Sequence, residues 1–180
     1  DRKLLNDGIL APEVLSQRPH YHLPFHKLPP AGGRHLHFYA AELARSPTGV
    51  CWVMADRTEA PGGSGFALEN RVVISRAFPG EFRRCNVQRL AGYFMSMRDH
   101  LASLAPRVKE NPHIAILSAG TESASYFEDA YLARYLGFTL VEAADLVVRH
   151  KYVMLKTISG LVQIDVIVRR QYGNQLDPLE

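Results

Sequence analysis

The stretch that decides the fold lies at residues 113–141 and has the sequence HIAILSAGTESASYFEDAYLARYLGFTLV. It begins with a short apolar run at residues 113–117, which is typical of a buried strand. A helix is predicted over residues 124–136, and Gly137 is a natural C-terminal stop for it. The next strand is predicted at residues 138–141. A strand, a helix and a second strand in this order predict a βαβ unit and therefore an α/β fold with a parallel sheet.

Ligands of parallel sheets bind beyond the carboxyl ends of the strands. This rule points to residues 118–123, which follow the first strand, and to residues 169–174, which follow a further buried strand predicted at residues 164–168. The candidate substrate-binding residues in the first segment are Ser118, Gly120 and Ser123.

Two arginines, Arg169 and Arg170, follow the strand predicted at residues 164–168. An arginine there can hold a carboxylate or a phosphate through two parallel hydrogen bonds, or can form a salt bridge at the end of a strand. Neighbouring side chains of a strand point to opposite faces, so only one of the two can enter a cleft. Glu128 and Asp129 on the predicted helix are interpreted as surface residues or as partners of Arg134.

The first half of the chain predicts short helices, a loop and a hairpin. Residues 1–17 indicate short helical pieces, and the proline-rich residues 18–33 indicate a loop. Two candidate strands, at residues 35–43 and 50–55, are separated by turn-forming residues, which predicts an antiparallel hairpin. A small second hairpin is predicted around residues 147–155.

A glycine-rich loop, Gly62–Gly65, runs into a predicted helix that ends near Pro79, and a second helix with one apolar face is predicted at residues 86–105. Glycines let the backbone approach a ligand, and a helix N-terminus offers N–H groups to an anion. The alternative is a plain turn. The loop is not a Walker loop, because no Gly-Lys-Ser/Thr follows. The candidate anion-binding residues are Gly62, Gly63, Ser64 and Gly65.

Composition excludes several classes of protein. Of the 180 residues, 47% are hydrophobic and 22% are charged, as in an ordinary globular protein. The sequence contains no run of about 18 apolar residues, so it predicts no membrane span. The formal charge of +3, without a basic stripe interleaved with aromatic residues, indicates no nucleic-acid partner. Cys51 and Cys85 do not make a disulfide framework, which favours reduced thiols and the cytoplasm. No Ser/His/Asp or Cys/His arrangement supports covalent catalysis.

Histidines at positions 20, 22, 26, 35 and 37 invite a zinc interpretation. No carboxylate or thiolate stands at a zinc-site spacing, so packed or loop histidines are favoured. The chain begins at Asp1 without an initiator Met, and we expect it to be a fragment of a longer protein.

Three stretches resemble the circularly permuted ATP-grasp proteins of type 2. The first is VMADRTEAPGGSGFALENR at residues 53–71. The second, YFEDAYLARYLG at residues 126–137, is close to the family's YFEHAYLARYLG. The third, DVIVRR at residues 165–170 with DPL at residues 177–179, is close to the family's DVIxRR…DPL. The resemblance covers essentially the whole chain.

The resemblance implies chemistry similar to that of glutathione and glutathionylspermidine synthetases. ATP phosphorylates a carboxylate to an acylphosphate, an amine displaces the phosphate, and Mg²⁺ neutralises developing charge. The implied cofactors of the full-length protein are ATP and Mg²⁺, and the implied partners are a small-molecule or peptide carboxylate and an amine. The alternative is a degenerate ATP-grasp relative that acts as a non-catalytic binding or scaffolding module.

The resemblance also implies a domain organisation. Residues 1–111 correspond to a partial ATP-grasp region, in which the hairpin at residues 34–60 is part of an antiparallel ATP-grasp sheet with flanking helices. Residues 112–180 correspond to a Rossmann-like (pre-ATP-grasp) substrate-binding region. Most of the nucleotide site is expected beyond residue 180, with a helical domain C-terminal to the chain. We therefore expect the isolated 180 residues to bind ATP and Mg²⁺ weakly or not at all.

Departures from the family pattern affect the implied site. Where many relatives have LEDN, this chain has MADR, so Ala55 and Arg57 replace the two magnesium ligands and Asp56 remains as the local candidate. Arg57 can supply part of the missing positive charge, or can form a salt bridge with Glu59 or Glu69. Arg57 and Asp56 are thus the candidate catalytic residues.

The remaining site residues also come from the resemblance. The resemblance implies that Arg170, or alternatively Arg169, grips the substrate carboxylate. Arg170→Ala in the full-length protein is therefore expected to raise the substrate KM or abolish turnover and to leave folding intact. Asn70 and Arg71 belong to the first matching stretch and are further substrate-binding candidates. The family's TPGPYNE loop is replaced here by SAGTESA at residues 118–124.

Overall fold

The computed structural model describes residues 3–17, 27–106 and 110–172. The chain forms two compact units, one of Asp1–His37 with Tyr172–Glu180 and the other of Phe38–Gln171. The functional division predicted between residues 111 and 112 falls inside the second unit and stays a prediction.

The first unit contains the predicted short helical pieces. They are α1 (Lys3–Asn6) and α2 (Pro12–Ser16), and a 3-10 turn follows at Ala31–Gly33. Most of the predicted loop, with the histidines at positions 20, 22 and 26, lies outside the described residues.

The second unit begins with the predicted antiparallel hairpin, formed by β1 (Ala40–Arg45) and β2 (Cys51–Arg57). The first strand begins five residues later than predicted, because Ala40 pairs with Arg57 and β2 ends there. Most side chains of β2 are exposed, and those of Trp52 and Met54 are more than 60% exposed. The hairpin thus leaves large apolar side chains uncovered within the described residues.

Three helices follow the hairpin: α3 (Ser64–Ala77), α4 (Pro79–Arg84) and α5 (Ala91–Ser103). The helix predicted from residue 86 begins only at Ala91. Asn86 has a φ of 48°, which a right-handed helix does not accommodate, so the start is delayed.

The parallel sheet contains β3 (Ile114–Leu117), β4 (Thr139–Val141) and β8 (Val166–Arg169) in the order β4-β3-β8. Helix α6 (Tyr126–Leu136) connects β3 to β4. The predicted βαβ unit is confirmed, with Gly137 in the left-handed conformation at the end of α6. Strand β8 begins two residues later than predicted, because the N–H of Ile164 bonds instead to the carbonyl of Val153.

A separate antiparallel sheet has the order β5-β6-β7, with β5 at Leu146–Arg149, β6 at Tyr152–Thr157 and β7 at Gly160–Gln163. The hairpin of β5 and β6 was predicted, whereas β7 was not. Strand β7 is four residues long and mostly exposed, so it carries little apolar pattern.

The core forms where α3, α5 and α6 pack against β3. Its buried members are Leu68, Phe94, Ile116, Leu132, Ala133 and Leu136. This packing fixes the start of α3 beside α6 and the end of the parallel sheet. No helix among the described ranges is long and apolar enough to cross a membrane.

Candidate functional site

The glycine-rich loop binds an anion, and that anion is the carboxylate of Glu128 on α6. The N–H of Gly63 donates to its two oxygens at 2.9 and 3.0 Å, and the N–H of Gly65 donates to Oε1 at 2.9 Å. The Ser64 hydroxyl lies 3.4 Å from the same oxygen. A carboxylate is favoured here by the free N–H groups and by the positive end of the helix dipole. An external anion at the N–H groups of Gly63 and Gly65 would have to displace Glu128, which is only 2% exposed.

Arg170 joins the loop to α6 and to the end of β8. Its Nε donates to Oδ1 of Asp129 at 2.9 Å, and its Nη2 donates to Oε2 of Glu128 at 2.7 Å. Its Nη1 donates to the carbonyl of Pro61 at 2.6 Å. The side chain is 9% exposed, and all three nitrogens are engaged inside the protein. Arg170 is therefore a buried structural cation in this geometry.

The interpretation of Glu128 and Asp129 as surface residues or partners of Arg134 was wrong. Asp129 is fully buried and also accepts hydrogen bonds from the hydroxyls of Ser118 and Ser125, at 3.0 and 3.1 Å. The planar guanidinium of Arg170 presents two edges, so adjacent helix residues can both bond to it. Both carboxylates also lie in the first turn of α6, where the helix dipole favours negative charge.

Among the described residues, every buried side-chain nitrogen and oxygen of this region has a hydrogen-bond partner. The carboxylates of Glu128 and Asp129 share the single guanidinium of Arg170. The backbone N–H groups of the loop also stabilise the negative charge of Glu128. We call this group the ionic cluster; its members are Gly63, Gly65, Ser118, Ser125, Glu128, Asp129 and Arg170.

Gly65 is required by close packing against the ionic cluster. A Cβ at this position would lie 2.6 Å from Cγ of Glu128 and 3.2 Å from Cγ of Leu132. Gly63 has a φ of 100°, a conformation that strongly favours glycine. The glycines thus admit an internal side chain at the place where the sequence predicted a ligand.

We expect Gly65→Ala to lower the free energy of unfolding by about 1–3 kcal/mol, because the methyl group overpacks the contact with Glu128. Gly92→Ala is the matched control, since a Cβ at Gly92 meets nothing within 4 Å on helix α5. That control should be neutral or gain up to about 1 kcal/mol from helix propensity. Urea denaturation measures both, and a Gly65→Ala variant as stable as Gly92→Ala would contradict the packing argument.

One residue of the segment that follows β3, Ser118, belongs to the ionic cluster. Ser118 is fully buried, its carbonyl accepts a hydrogen bond from the side-chain amide of Gln171, and its hydroxyl is 3.4 Å from the N–H of Gly120. Ser123 is half-buried and its hydroxyl lies 2.9 Å from that of Ser125. Of the three predicted residues, Ser118 supports the cluster, while Gly120 and Ser123 line the turn beyond it.

Arg169 has surroundings different from those of Arg170. It is the last residue of β8, its side chain is 40% exposed, and its Nη2 lies 3.4 Å from Oε1 of Glu59. This long, exposed ion pair leaves Arg169 at the carboxyl edge of the parallel sheet, where such sheets bind ligands.

Arg57 and Asp56 lie on the hairpin and take no part in the bonds of the ionic cluster described above. Arg57 forms an ion pair with Glu42 of the neighbouring strand, and Glu59 pairs with Arg169. The salt bridge of Arg57 with Glu59 or Glu69 stays a prediction. Asp56 accepts a hydrogen bond of 2.7 Å from the Tyr39 hydroxyl, which raises the pKa of Tyr39.

The side chains next to Asp56 add no further magnesium ligand, and the role of Asp56 itself stays a prediction. No group of three or more His, Cys, Asp or Glu side chains within residues 3–17, 27–106 and 110–172 is placed to hold a metal. Asp56 is flanked by Ala55 and Arg57, and neither supplies a hard oxygen ligand. Asn70 is exposed. Arg71 lies in the middle of α3, away from the glycine loop, and its Nη1 donates to the carbonyl of Gln88 at 2.8 Å.

A family model described as circularly permuted ATP-grasp type 2 matches residues 1–180. The chain belongs to this family. In this circularly permuted ATP-grasp chain, the three stretches that carry the resemblance meet in the ionic cluster. The first supplies the glycine loop, the second supplies Glu128 and Asp129, and the third supplies Arg170.

Three relatives illustrate the extent of the match. The uncharacterized protein Rv2567 of Mycobacterium tuberculosis is 36% identical over 179 residues, which cover 99% of this chain and 20% of the relative. The uncharacterized protein ML0605 of Mycobacterium leprae is 32% identical over 180 residues, which cover 100% of this chain and 32% of the relative. The uncharacterized protein sll0335 of Synechocystis is 30% identical over 177 residues, which cover 98% of this chain and 37% of the relative. The circularly permuted ATP-grasp chain thus spans about a fifth to a little over a third of the length of these relatives.

Glu128, Asp129, Ser125 and Gln171 were not identified as site residues from the sequence. One signal was present for the two carboxylates: they lie within the second matching stretch, in the first turn of a helix that follows the ligand-binding edge of the sheet. That position favours negative charge but does not say whether the charge faces solvent or protein.

Proposed function

We propose that the intact protein is an ATP-dependent carboxylate–amine ligase. ATP transfers its γ-phosphoryl group to a carboxylate oxygen, and the amine nitrogen then attacks the acyl carbon and releases phosphate. The observation that supports this proposal best is the position of the ionic cluster. Its glycines, carboxylates and arginine come from the three family stretches, and it lies where β3 and β8 end, at the edge of the sheet that binds ligands in α/β folds.

In this proposal residues 112–180 form a Rossmann-like region that binds the carboxylate substrate, and the ionic cluster is its framework. Arg170 positions the glycine loop and α6 from inside the protein. Arg169 is the arginine that holds the substrate carboxylate, because it is exposed at the same edge. Gly120 and Ser123 lie in the turn after β3 and are the proposed neighbours of the substrate.

ATP and Mg²⁺ are proposed for the intact protein on the basis of the family. We assign no magnesium ligand to the residues around Asp56, because their chemistry does not fit the ion. Nor do we assign a phosphate to the glycine loop, because the N–H groups of Gly63 and Gly65 already bind Glu128.

The proposal is tested by incubating the intact protein with ATP, Mg²⁺, hydroxylamine and a pool of carboxylate metabolites. Hydroxylamine traps acylphosphates as hydroxamates, so a ligase yields equal amounts of ADP and hydroxamate. Fractionation of the pool then identifies the carboxylate. ATP binding in calorimetry without any ADP formation under these conditions would contradict a ligase.

A second candidate, a non-catalytic ATP-grasp binding module, is favoured by one observation. Ala55 and Arg57 stand where a cation site is implied by the family, and the part of the chain that the structure describes supplies no replacement cluster. ATP binding that is unaffected by Mg²⁺, together with the absence of ADP, would support this candidate.

For the ligase we expect Arg169→Gln to raise the KM for the carboxylate roughly 10-fold to 100-fold, which corresponds to the loss of a charge-assisted hydrogen bond of about 1.5–3 kcal/mol. Arg149→Gln, on the exposed end of strand β5 of the other sheet, is the matched control and should leave KM unchanged. Both variants should keep the wild-type melting temperature, since exposed arginines contribute little to stability. An unchanged KM for Arg169→Gln would remove Arg169 from the proposed site.

A further inference from the structure

A cavity of about 400 Å³ lies away from the ionic cluster, between the C-terminal half of α3, helix α4 and the start of α5. Its lining is mostly apolar and includes Val72, Phe82 and the ring of Tyr135 from α6. Cavities of roughly 300–1,000 Å³ with an apolar lining and few polar groups are typical of small-molecule sites. The cavity is therefore large enough for a small organic molecule.

The charged side chains of this cavity carry one sign of charge. Arg71, Arg83 and Arg89 line it, and none of the described residues in its lining is Asp or Glu. The guanidinium of Arg71 is oriented by its bond to the Gln88 carbonyl. Three cations around a mostly apolar lining attract an anion, and guanidinium groups match carboxylate and phosphate oxygens through paired hydrogen bonds.

The Tyr135 ring that lines the cavity is oriented by contacts with other aromatic residues. Tyr135 stacks on Tyr131 with a centroid distance of 6.4 Å and an interplanar angle of 10°, and Tyr131 stacks on Phe127 in turn. Phe94 contacts the Tyr135 ring edge-to-face at 5.4 Å. The lining ring of Tyr135 is thus oriented by its neighbours and favours a planar, apolar ligand body, because aromatic groups pack best in defined relative geometries.

We propose that this cavity binds an organic anion with a planar apolar body and one carboxylate or phosphate group. The apolar body packs on Phe82 and Tyr135, and the anionic group is held by Arg83 and Arg89. This site is separate from the proposed carboxylate site at Arg169 and does not depend on the ligase activity.

The test measures binding of four probes to the intact protein by calorimetry and by ligand-observed NMR. The probes are phenyl phosphate, benzoate, inorganic phosphate and benzyl alcohol. We expect saturable binding of phenyl phosphate or benzoate at least 10-fold tighter than that of inorganic phosphate and of benzyl alcohol. The preference between the first two distinguishes a phosphate monoester from a carboxylate as the natural class.

Three variants locate the binding. The double variant Arg83→Gln/Arg89→Gln should weaken the preferred aromatic anion at least 10-fold, and Ala91→Leu, which fills the cavity from the start of α5, should weaken it to a similar extent. Arg98→Gln is the control, since Arg98 is an exposed arginine of α5 that does not line the cavity. Absence of aromatic-anion binding, or binding that all three variants leave unchanged, would overturn the proposal.

Discussion

Replacing Arg170 with methionine is expected to lower the free energy of unfolding by about 3–5 kcal/mol, the range for breaking a buried ion pair by removing one partner. The substitution leaves the carboxylates of Glu128 and Asp129, which are 2% and 0% exposed, without their cation. It also removes the bond that holds the carbonyl of Pro61. Urea denaturation followed by circular dichroism measures the loss.

Arg169→Met is the matched control, because it removes the neighbouring charge from a side chain that is 40% exposed. Its cost should be about 0–1 kcal/mol, as for surface ion pairs. Arg170→Lys should fall between the two, since an ammonium keeps the charge but cannot replace three directed guanidinium bonds. Equal stability of the two methionine variants would show that the ionic cluster does not stabilise the fold.

This expectation replaces the one drawn from the sequence, which was that loss of Arg170 would impair substrate binding and leave folding intact. The difference has a simple cause. An arginine at a strand end can serve a ligand only if its nitrogens are available, and those of Arg170 are engaged by Glu128, Asp129 and Pro61. Kinetic effects of Arg170 variants therefore have to be separated from unfolding before they are assigned to substrate binding.

Glu128→Ala is the second change for which we expect a large effect, again a loss of about 3–5 kcal/mol. The N–H groups of Gly63 and Gly65 lose their acceptor, and Arg170 loses one of its two carboxylates. The variant also opens a helix N-terminus beside a guanidinium, which is a site suited to an inorganic anion. Added phosphate should therefore restore part of the lost stability.

The phosphate effect distinguishes the proposed contacts from a general packing defect. Thermal denaturation should show a larger rise in melting temperature with phosphate for Glu128→Ala than for the wild type, at constant ionic strength. Glu122→Ala, an exposed acidic residue in the turn before α6, should behave like the wild type in both stability and phosphate response. A Glu128→Ala variant that is destabilised but insensitive to phosphate would contradict the anion-binding geometry of the loop.

The sequence predicted those parts of the fold whose signals are local. The apolar run of β3, the helix of residues 126–136 and the left-handed Gly137 lie within one continuous stretch, so their order alone predicts the βαβ unit. The start of α5 could not be predicted in the same way, because the positive φ of Asn86 leaves no pattern in the neighbouring residues.

The candidate site was harder to predict because its contacts join distant parts of the chain. Glycines at residues 62–65 are equally compatible with a ligand and with a close-packed side chain, and only the position of α6 decides between them. Likewise, Glu128 and Asp129 in a first helical turn suit both solvent and a buried cation. The sequence predicted that a ligand supplies an anion at the loop and did not indicate that Glu128 of the protein itself lies there.

The separations within the ionic cluster have a consequence for the order of folding. Glu128 contacts Gly63 across 65 positions of the chain, and Arg170 contacts Pro61 across 109. Contacts between such distant residues require large loops to close, so they form late relative to the helices. During synthesis the loop and α6 leave the ribosome before Arg170, and until then two carboxylates have no guanidinium to neutralise them. Because interactions that form after the transition state mainly slow unfolding, the cluster is expected to set the lifetime of the folded chain more than its folding rate.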